Sequence, residues 1–183
     1  MANFSFLADK AEFRAFAKDC IDAEESLQNS FESCVKLVRT AVESAVKWLY
    51  ATDKNLSAQR RKLPVGKKDN LFDLLSEANF ERTVGKNLLS KLHYCRKTGN
   101  AAIHNERTFA AEDAVRCLKY LFDFVQWIDS RYGQNFKVRT FDADEIPAKE
   151  STLKKVLKGA GFMALGAVGV IAAALLSGDD KKS

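Results

Sequence analysis

Apolar side chains recur at the helical repeat along most of this chain. The clearest stripe, with members three or four residues apart, consists of Phe31, Val35, Val38, Val42, Val46 and Leu49. Such spacing predicts an amphipathic helix. The same reasoning predicts about five helices in an all-α bundle: Asp9 to Leu27, the stripe helix after Asn29, a short helix after Asp69, one from about Val84 to the region of residue 100, and one from about Ala110 to Tyr132.

Local signals predict where these elements begin and end. Asp9 and Glu12 have capping-box spacing, and Asn29 also has an acidic residue three positions later. Pro64 and Gly66 predict a loop between the second and third helices, over Lys54–Lys68. The short helix that follows is expected to bury four apolar side chains, Leu71, Phe72, Leu74 and Leu75.

The chain divides into three predicted parts. Residues 1–133 form the bundle, residues 134–152 form an irregular linker, and residues 153–183 form a hydrophobic helix with a short charged tail. Residues 159–178 carry no charge, and as a helix they are long enough to cross a bilayer. Lysines precede this segment, so the positive-inside tendency predicts a cytoplasmic bundle anchored to the inner membrane. The alternative is a glycine-rich helix that self-associates without crossing a membrane.

The composition says more about which ligands and sites are expected than about the fold. An apolar content of 46% and a net charge of +5 are typical of a globular protein that tolerates nucleic acid or anionic lipid without requiring either. The four cysteines, Cys20, Cys34, Cys95 and Cys117, are dispersed, which favours buried free thiols over disulfides or a zinc site. The start of the chain lacks the pattern of a signal peptide. No metal and no cofactor is expected.

Arg96, Asn100 and His104 are the candidate catalytic residues. They are spaced four apart, so an unbroken helix would place them on one face. An arginine can neutralise a phosphate and a histidine can transfer a proton, which is the chemistry of metal-independent RNA cleavage. A single histidine needs a second group, which a partner copy could supply. His93 is a weaker candidate on the same helix.

A structural or binding role explains the same residues. Gly99 and Asn100 could end the helix, which would leave Asn100 to bind loop amides and His104 to bind a backbone carbonyl. Arg96 could then pair with Glu43, which lies four residues after Arg39 on the second helix. Both interpretations stay open at this point.

A second candidate surface is basic. The predicted loop carries six cations and no acid between its ends: Lys54, Arg60, Arg61, Lys62, Lys67 and Lys68. They could bind nucleic-acid phosphates or anionic lipid headgroups. No aromatic residues lie among them, so base stacking is not indicated. The loop could equally be a solvated surface without a function.

Several segments, in order, carry a family resemblance: Asn3–Leu7, Val38–Glu43, Lys47–Leu49, Asp69–Leu75, Leu92–His104 and Glu112–Ala114. The chain resembles the helical domain of unknown function found at the N-terminus of type I restriction enzyme R subunits and as free-standing proteins. That domain is grouped with the HEPN superfamily of helical bundles. The resemblance covers about residues 3–132 and leaves out the hydrophobic segment.

The resemblance implies a function in bacterial defence. Many HEPN proteins are metal-independent ribonucleases, and others are catalytically silent scaffolds. In active members the signature arginine lies closer to the histidine, whereas seven residues separate Arg96 from His104 here. The sequence thus predicts a membrane-tethered HEPN-like accessory or interaction domain against foreign nucleic acid. RNA or DNA, a protein partner and a second copy are the expected partners. The alternatives are a toxin-type ribonuclease that uses His104 with Arg96, and a membrane-perturbing effector that acts through residues 159–178.

Overall fold

The computed structural model describes residues 2–67, 69–104 and 107–146. Within these residues the chain forms seven α-helices and no β-strand. The helices are α1 (Arg14–Ser26), α2 (Phe31–Thr52), α3 (Lys54–Lys62), α4 (Leu71–Leu75), α5 (Ala78–Val84), α6 (Lys86–Ile103) and α7 (Ala111–Tyr132). The all-α prediction is therefore confirmed for this part of the chain, although the predicted number of about five helices was too low.

Helix α2 lies at the centre of the bundle and packs against α1, α6 and α7. Of the predicted stripe, every member except Phe31 is buried. Ser30 begins the helix, since its side chain accepts a hydrogen bond from the backbone N–H of Ser33 at 3.1 Å. The stripe predicted the helix correctly, and the cap lies one residue after the predicted Asn29.

The predicted loop over Lys54–Lys68 is wrong. Its first part is helix α3, and residues Val65–Lys67 form a 3-10 turn. Asp53 caps α3 by accepting hydrogen bonds from the backbone N–H groups of Asn55 and Leu56 at 2.9 and 3.0 Å. Leu56 is the buried residue of this helix. A helix with one buried anchor has too little apolar periodicity to be recognised in the sequence.

The other errors concern helix ends. Two 3-10 turns, Ser5–Asp9 and Ala11–Phe13, precede α1, and the predicted capping box does not form because Glu12 accepts a hydrogen bond from the backbone of Gln134. Helix α5 was not predicted, and Gly85, with a φ of +81°, separates it from α6. Asn70, instead of Asp69, caps α4.

Residues 134–146 lie against the bundle. Phe141 contacts Phe122 of α7 with ring centroids 5.7 Å apart, and Ile146 is buried. The rest of the predicted linker and the segment 159–178 lie outside the described residues. No helix in the described part of the chain is long and apolar enough to cross a membrane. The predicted inner-membrane anchor stays a prediction.

Candidate functional site

Helices α2 and α6 cross in close contact at Gly99. A Cβ atom at this position would overlap the Cβ of Arg39 and lie 3.0 Å from the carbonyl oxygen of Val35. Only a glycine allows the two backbones to approach this closely. Helix α6 continues through Gly99 to Ile103, which corrects the predicted helix end at Gly99–Asn100.

The crossing brings Arg39 and Asn100 together. Arg39 donates from Nε to Asn100 Oδ1 at 2.6 Å and from Nη1 to Glu43 Oε2 at 3.1 Å. The other oxygen of Glu43 accepts from Lys47 Nζ at 2.7 Å. Both carboxylate oxygens are thus engaged on α2, and the predicted pairing of Glu43 with Arg96 does not form. Asn100 instead fixes the orientation of the Arg39 guanidinium.

Arg96 lies beside this network without joining it. Its guanidinium lies over the ring of Phe72 on α4, 5.1 Å from the ring centroid. Its Nε is shielded from solvent and makes no hydrogen bond within the described part of the chain. Burial and the nearby charge of Arg39 lower the pKa of Arg96. The guanidinium groups of Arg39 and Arg96 therefore lie close together. Of these two, Arg39 alone is paired with a carboxylate among the described residues.

Phe72 is exposed, which corrects its predicted burial. The residue is 51% exposed, while Leu71, Leu74 and Leu75 are buried. The three leucines occupy one face of α4, and position 72 lies about 100° away from the first of them. That spacing is the signal that the sequence analysis missed.

His93 adds a third planar group to Arg96 and Phe72. Its ring centroid lies 6.5 Å from that of Phe72, at an interplanar angle of 56°. Burial lowers the pKa of His93, and the charges of Arg96 and Lys97 lower it further. Near neutral pH the ring is therefore neutral.

His104 is exposed immediately after the end of α6. Its backbone N–H donates to the carbonyl of Asn100 at 3.0 Å, so the helical path continues from Arg96 through Asn100 to His104. Within the described ranges its ring makes no hydrogen bond, ion pair or ring contact. Arg96 and Asn100 thus lie on α6 and His104 directly follows its last residue, and no described group orients the imidazole.

The basic residues of the predicted loop lie on α3 and the turn that follows it. Arg60 pairs with Asp69, and Lys67 Nζ lies 4.0 Å from Asp73 Oδ1. These pairs hold the turn against the start of α4, which carries Phe72. Lys54, Arg61 and Lys62 are exposed on α3, and Lys68 lies outside the described residues.

The described residues contain no cluster of three histidine, cysteine or acidic side chains arranged to hold a metal ion. Cys20, Cys34, Cys95 and Cys117 are free thiols and fully buried. Burial raises the pKa of Cys20, Cys34 and Cys95, which keeps these thiols protonated and unreactive. The functional groups that could bind a ligand lie instead at the α2–α6 crossing and on α4. They are cations, one amide, one imidazole and an exposed aromatic ring.

Comparison with known proteins identifies a family but no characterised relative. No curated protein and no solved structure gives a significant match to this chain. The sequence model of a family described as a domain of unknown function (DUF4145) matches residues 22–156. The match covers most of the chain, including α2 through α7 and every residue of the site described above. The chain belongs to the DUF4145 family.

Proposed function

We propose that this protein is a HEPN-like accessory domain of bacterial defence that binds the phosphate backbone of foreign nucleic acid at the α2–α6 crossing. Arg96 and Arg39 are the binding residues, and Asn100 positions Arg39. The order of the sequence segments supports the HEPN assignment, and the helical bundle is compatible with it. The predicted membrane tether at residues 159–178 is independent of this proposal.

The observation that carries the proposal is the Arg96 guanidinium, whose Nε is shielded from solvent and makes no hydrogen bond to any described residue. Glu43 pairs with Arg39 and Lys47, and Arg96 beside them adds a third positive charge without a carboxylate partner among the described residues. An incoming phosphate would neutralise the excess positive charge and accept hydrogen bonds that no described residue accepts from Arg96. Guanidinium groups suit this task because their planar fork of donors matches the oxygens of a phosphate.

The same geometry favours binding over cleavage. A general acid or base must be held within reach of the proton that it transfers. The ring of His104 is exposed and has no described partner to orient it, while the amide oxygen of Asn100 is occupied by Arg39. One observation keeps a ribonuclease as the second candidate: Arg96 lies on α6, and His104 directly follows this helix and donates its backbone N–H to Asn100 of the same helix.

Binding is tested by fluorescence anisotropy with a labelled RNA over a series of salt concentrations. We expect affinity to fall with salt, and Arg96→Ala to weaken binding roughly tenfold at low salt. The salt slope should fall by about one, the value for one lost phosphate contact. Arg14→Ala, which removes an exposed arginine from α1, is the matched control and should leave both values unchanged.

Two outcomes would decide against the proposal. If Arg96→Ala folds normally and binds RNA like the wild-type protein, the site is misassigned. If the wild-type protein cleaves RNA in EDTA and His104→Ala abolishes the cleavage, the ribonuclease is the correct function.

A further inference from the structure

Phe72 is an exposed aromatic residue in a rigid position. The side chain of Asn70 accepts a hydrogen bond from the backbone N–H of Phe72 at 2.8 Å, and the Phe72 carbonyl accepts one from the Ser76 hydroxyl at 2.7 Å. Leu71 and Leu74 anchor α4 in the core on either side of it. The ring is therefore held at the surface by the helix that carries it, and its exposure does not result from a loose segment.

Two planar side chains of α6 support the ring from the bundle side. The Arg96 guanidinium lies 5.1 Å from the ring centroid and the His93 ring lies 6.5 Å from it. Both residues are partly buried and stand one turn apart on α6. Together with Phe72 they form what we call the stacking platform, a cluster of planar groups that is aromatic and positively charged at one side.

Such a platform can stack on an unpaired nucleobase but not on a base within a paired duplex. Every base has a π face that stacks on an aromatic ring, so such stacking tolerates any base. In a duplex the faces of the bases are already stacked on their neighbours, so only an unpaired base can occupy the platform. The phosphate next to that base would lie on the side of Arg96, where Arg39 adds a second guanidinium.

We propose that the stacking platform of Phe72, His93 and Arg96 binds one unpaired base, which makes single-stranded nucleic acid the ligand of the site. This inference rests on the proposed function, because it assigns a base to the site whose phosphate ligands are Arg96 and Arg39. These contacts do not distinguish ribose from deoxyribose, so they do not select between RNA and DNA. A protein partner that buries Phe72 is the competing occupant, and the experiment separates the two.

The experiment compares Phe72→Ala with the wild-type full-length chain on three labelled ligands of equal phosphate number. These are a single strand of roughly 12 nucleotides, a site size typical of stacking proteins, the same strand with abasic sugars, and a hairpin. We expect the wild-type protein to prefer the normal strand over the other two ligands. Phe72→Ala should lose roughly tenfold in affinity for the normal strand and little for the abasic strand.

Two controls sharpen the comparison. Phe72→Tyr should restore binding, since tyrosine stacks equally well. Phe136→Ala removes another exposed phenylalanine, 38% exposed and carried on a different segment, and should have no effect. The salt slope of Phe72→Ala should equal that of the wild-type protein because no phosphate contact is lost.

The outcomes for the two proposals are distinguishable. Salt-dependent binding that needs Arg96 but is insensitive to Phe72→Ala and to loss of the bases would overturn the platform and leave the proposed function standing. Loss of binding to abasic and normal strands alike in Phe72→Ala, at unchanged fold, would also overturn it. Absence of any nucleic-acid binding by the wild-type protein overturns both proposals and leaves the protein partner as the occupant of Phe72.

Discussion

His93 illustrates how the environment of one residue sets its charge. The ring lies near Phe72 and is influenced by two cations on its own helix, Arg96 and Lys97. Burial removes water that would stabilise the imidazolium, and the two cations repel it. Both effects lower the pKa of His93, so the folded protein holds this residue in the neutral form that suits stacking.

This shift predicts a dependence of stability on pH. Because the pKa of His93 is lower in the folded state than its usual value of 6.5, the unfolded state binds more protons below that pH. The free energy of unfolding should therefore fall as the pH drops through about 6.5, and it should level off once the pH is below the folded-state pKa. Urea unfolding at a series of pH values measures this change.

His93→Gln should lose the part of that pH dependence that His93 contributes. The matched variant His104→Gln keeps His93 and should retain it. An identical profile for wild-type protein and His93→Gln would show that folding does not destabilise the His93 imidazolium.

At the scale of the helices, the site depends on how closely α2 and α6 approach. Gly99 lets the two backbones come together, and this approach lets Arg39 reach Asn100 across the interface. Side-chain packing at such a crossing has little room to relax, since protein interiors are close-packed. The hydrogen bond between Arg39 and Asn100 therefore depends on the absence of a side chain at Gly99.

Gly99→Ala should destabilise the protein in spite of its better helix propensity. Alanine contributes about 1 kcal/mol more than glycine to an unstrained helix, but the added Cβ would overlap that of Arg39 and force the helices apart. We expect the free energy of unfolding to fall by about 1–3 kcal/mol. Chemical denaturation monitored by circular dichroism measures it.

Gly66→Ala is the control for this variant, because no described atom lies within 4 Å of its added Cβ. Its stability should remain within about 0.5 kcal/mol of the wild-type value. A Gly99→Ala protein as stable as the wild type would mean that the crossing is looser than the structure indicates.

At the scale of the whole molecule, the two ends of the described chain are joined to each other and to the bundle. Glu24 of α1 is only 1% exposed and accepts three hydrogen bonds, from Asn3 N, Asn3 Nδ2 and Phe4 N, at 2.9, 2.7 and 3.2 Å. Asn3 also exchanges hydrogen bonds with the backbone of Asp142. Residues 3 and 4, which precede the family match, thus complete the core.

Glu24→Ala should therefore loosen the start of the chain. It leaves the buried N–H groups of Asn3 and Phe4 without an acceptor, and each such group costs about 1–3 kcal/mol. We expect lower stability in denaturant and faster proteolysis near the N-terminus. Glu25→Ala removes the exposed neighbouring carboxylate and should change neither. Equal protease resistance of the two variants would contradict this assignment of Glu24.

The long helices were predictable because their signal is local. The stripe of α2 and the apolar face of α7 repeat every three or four residues, and that spacing alone puts the side chains on one face. The prediction for Ala110–Tyr132 is confirmed within one residue. The short helices α3 and α5 were missed because an aspartate cap with one buried leucine, or a glycine with a positive φ, defines them more than periodicity does.

By itself, then, the sequence determined the long helices, the all-α class and the residues worth testing at the site, among them Arg39, Arg96 and Asn100. Only the tertiary structure decided their partners. Asn100 binds Arg39 from 61 positions away, because two helices cross at a glycine, and Arg96 lies over Phe72 without a carboxylate partner among the described residues. Local spacing encodes which face a residue occupies, whereas the atom it meets depends on how separate helices pack.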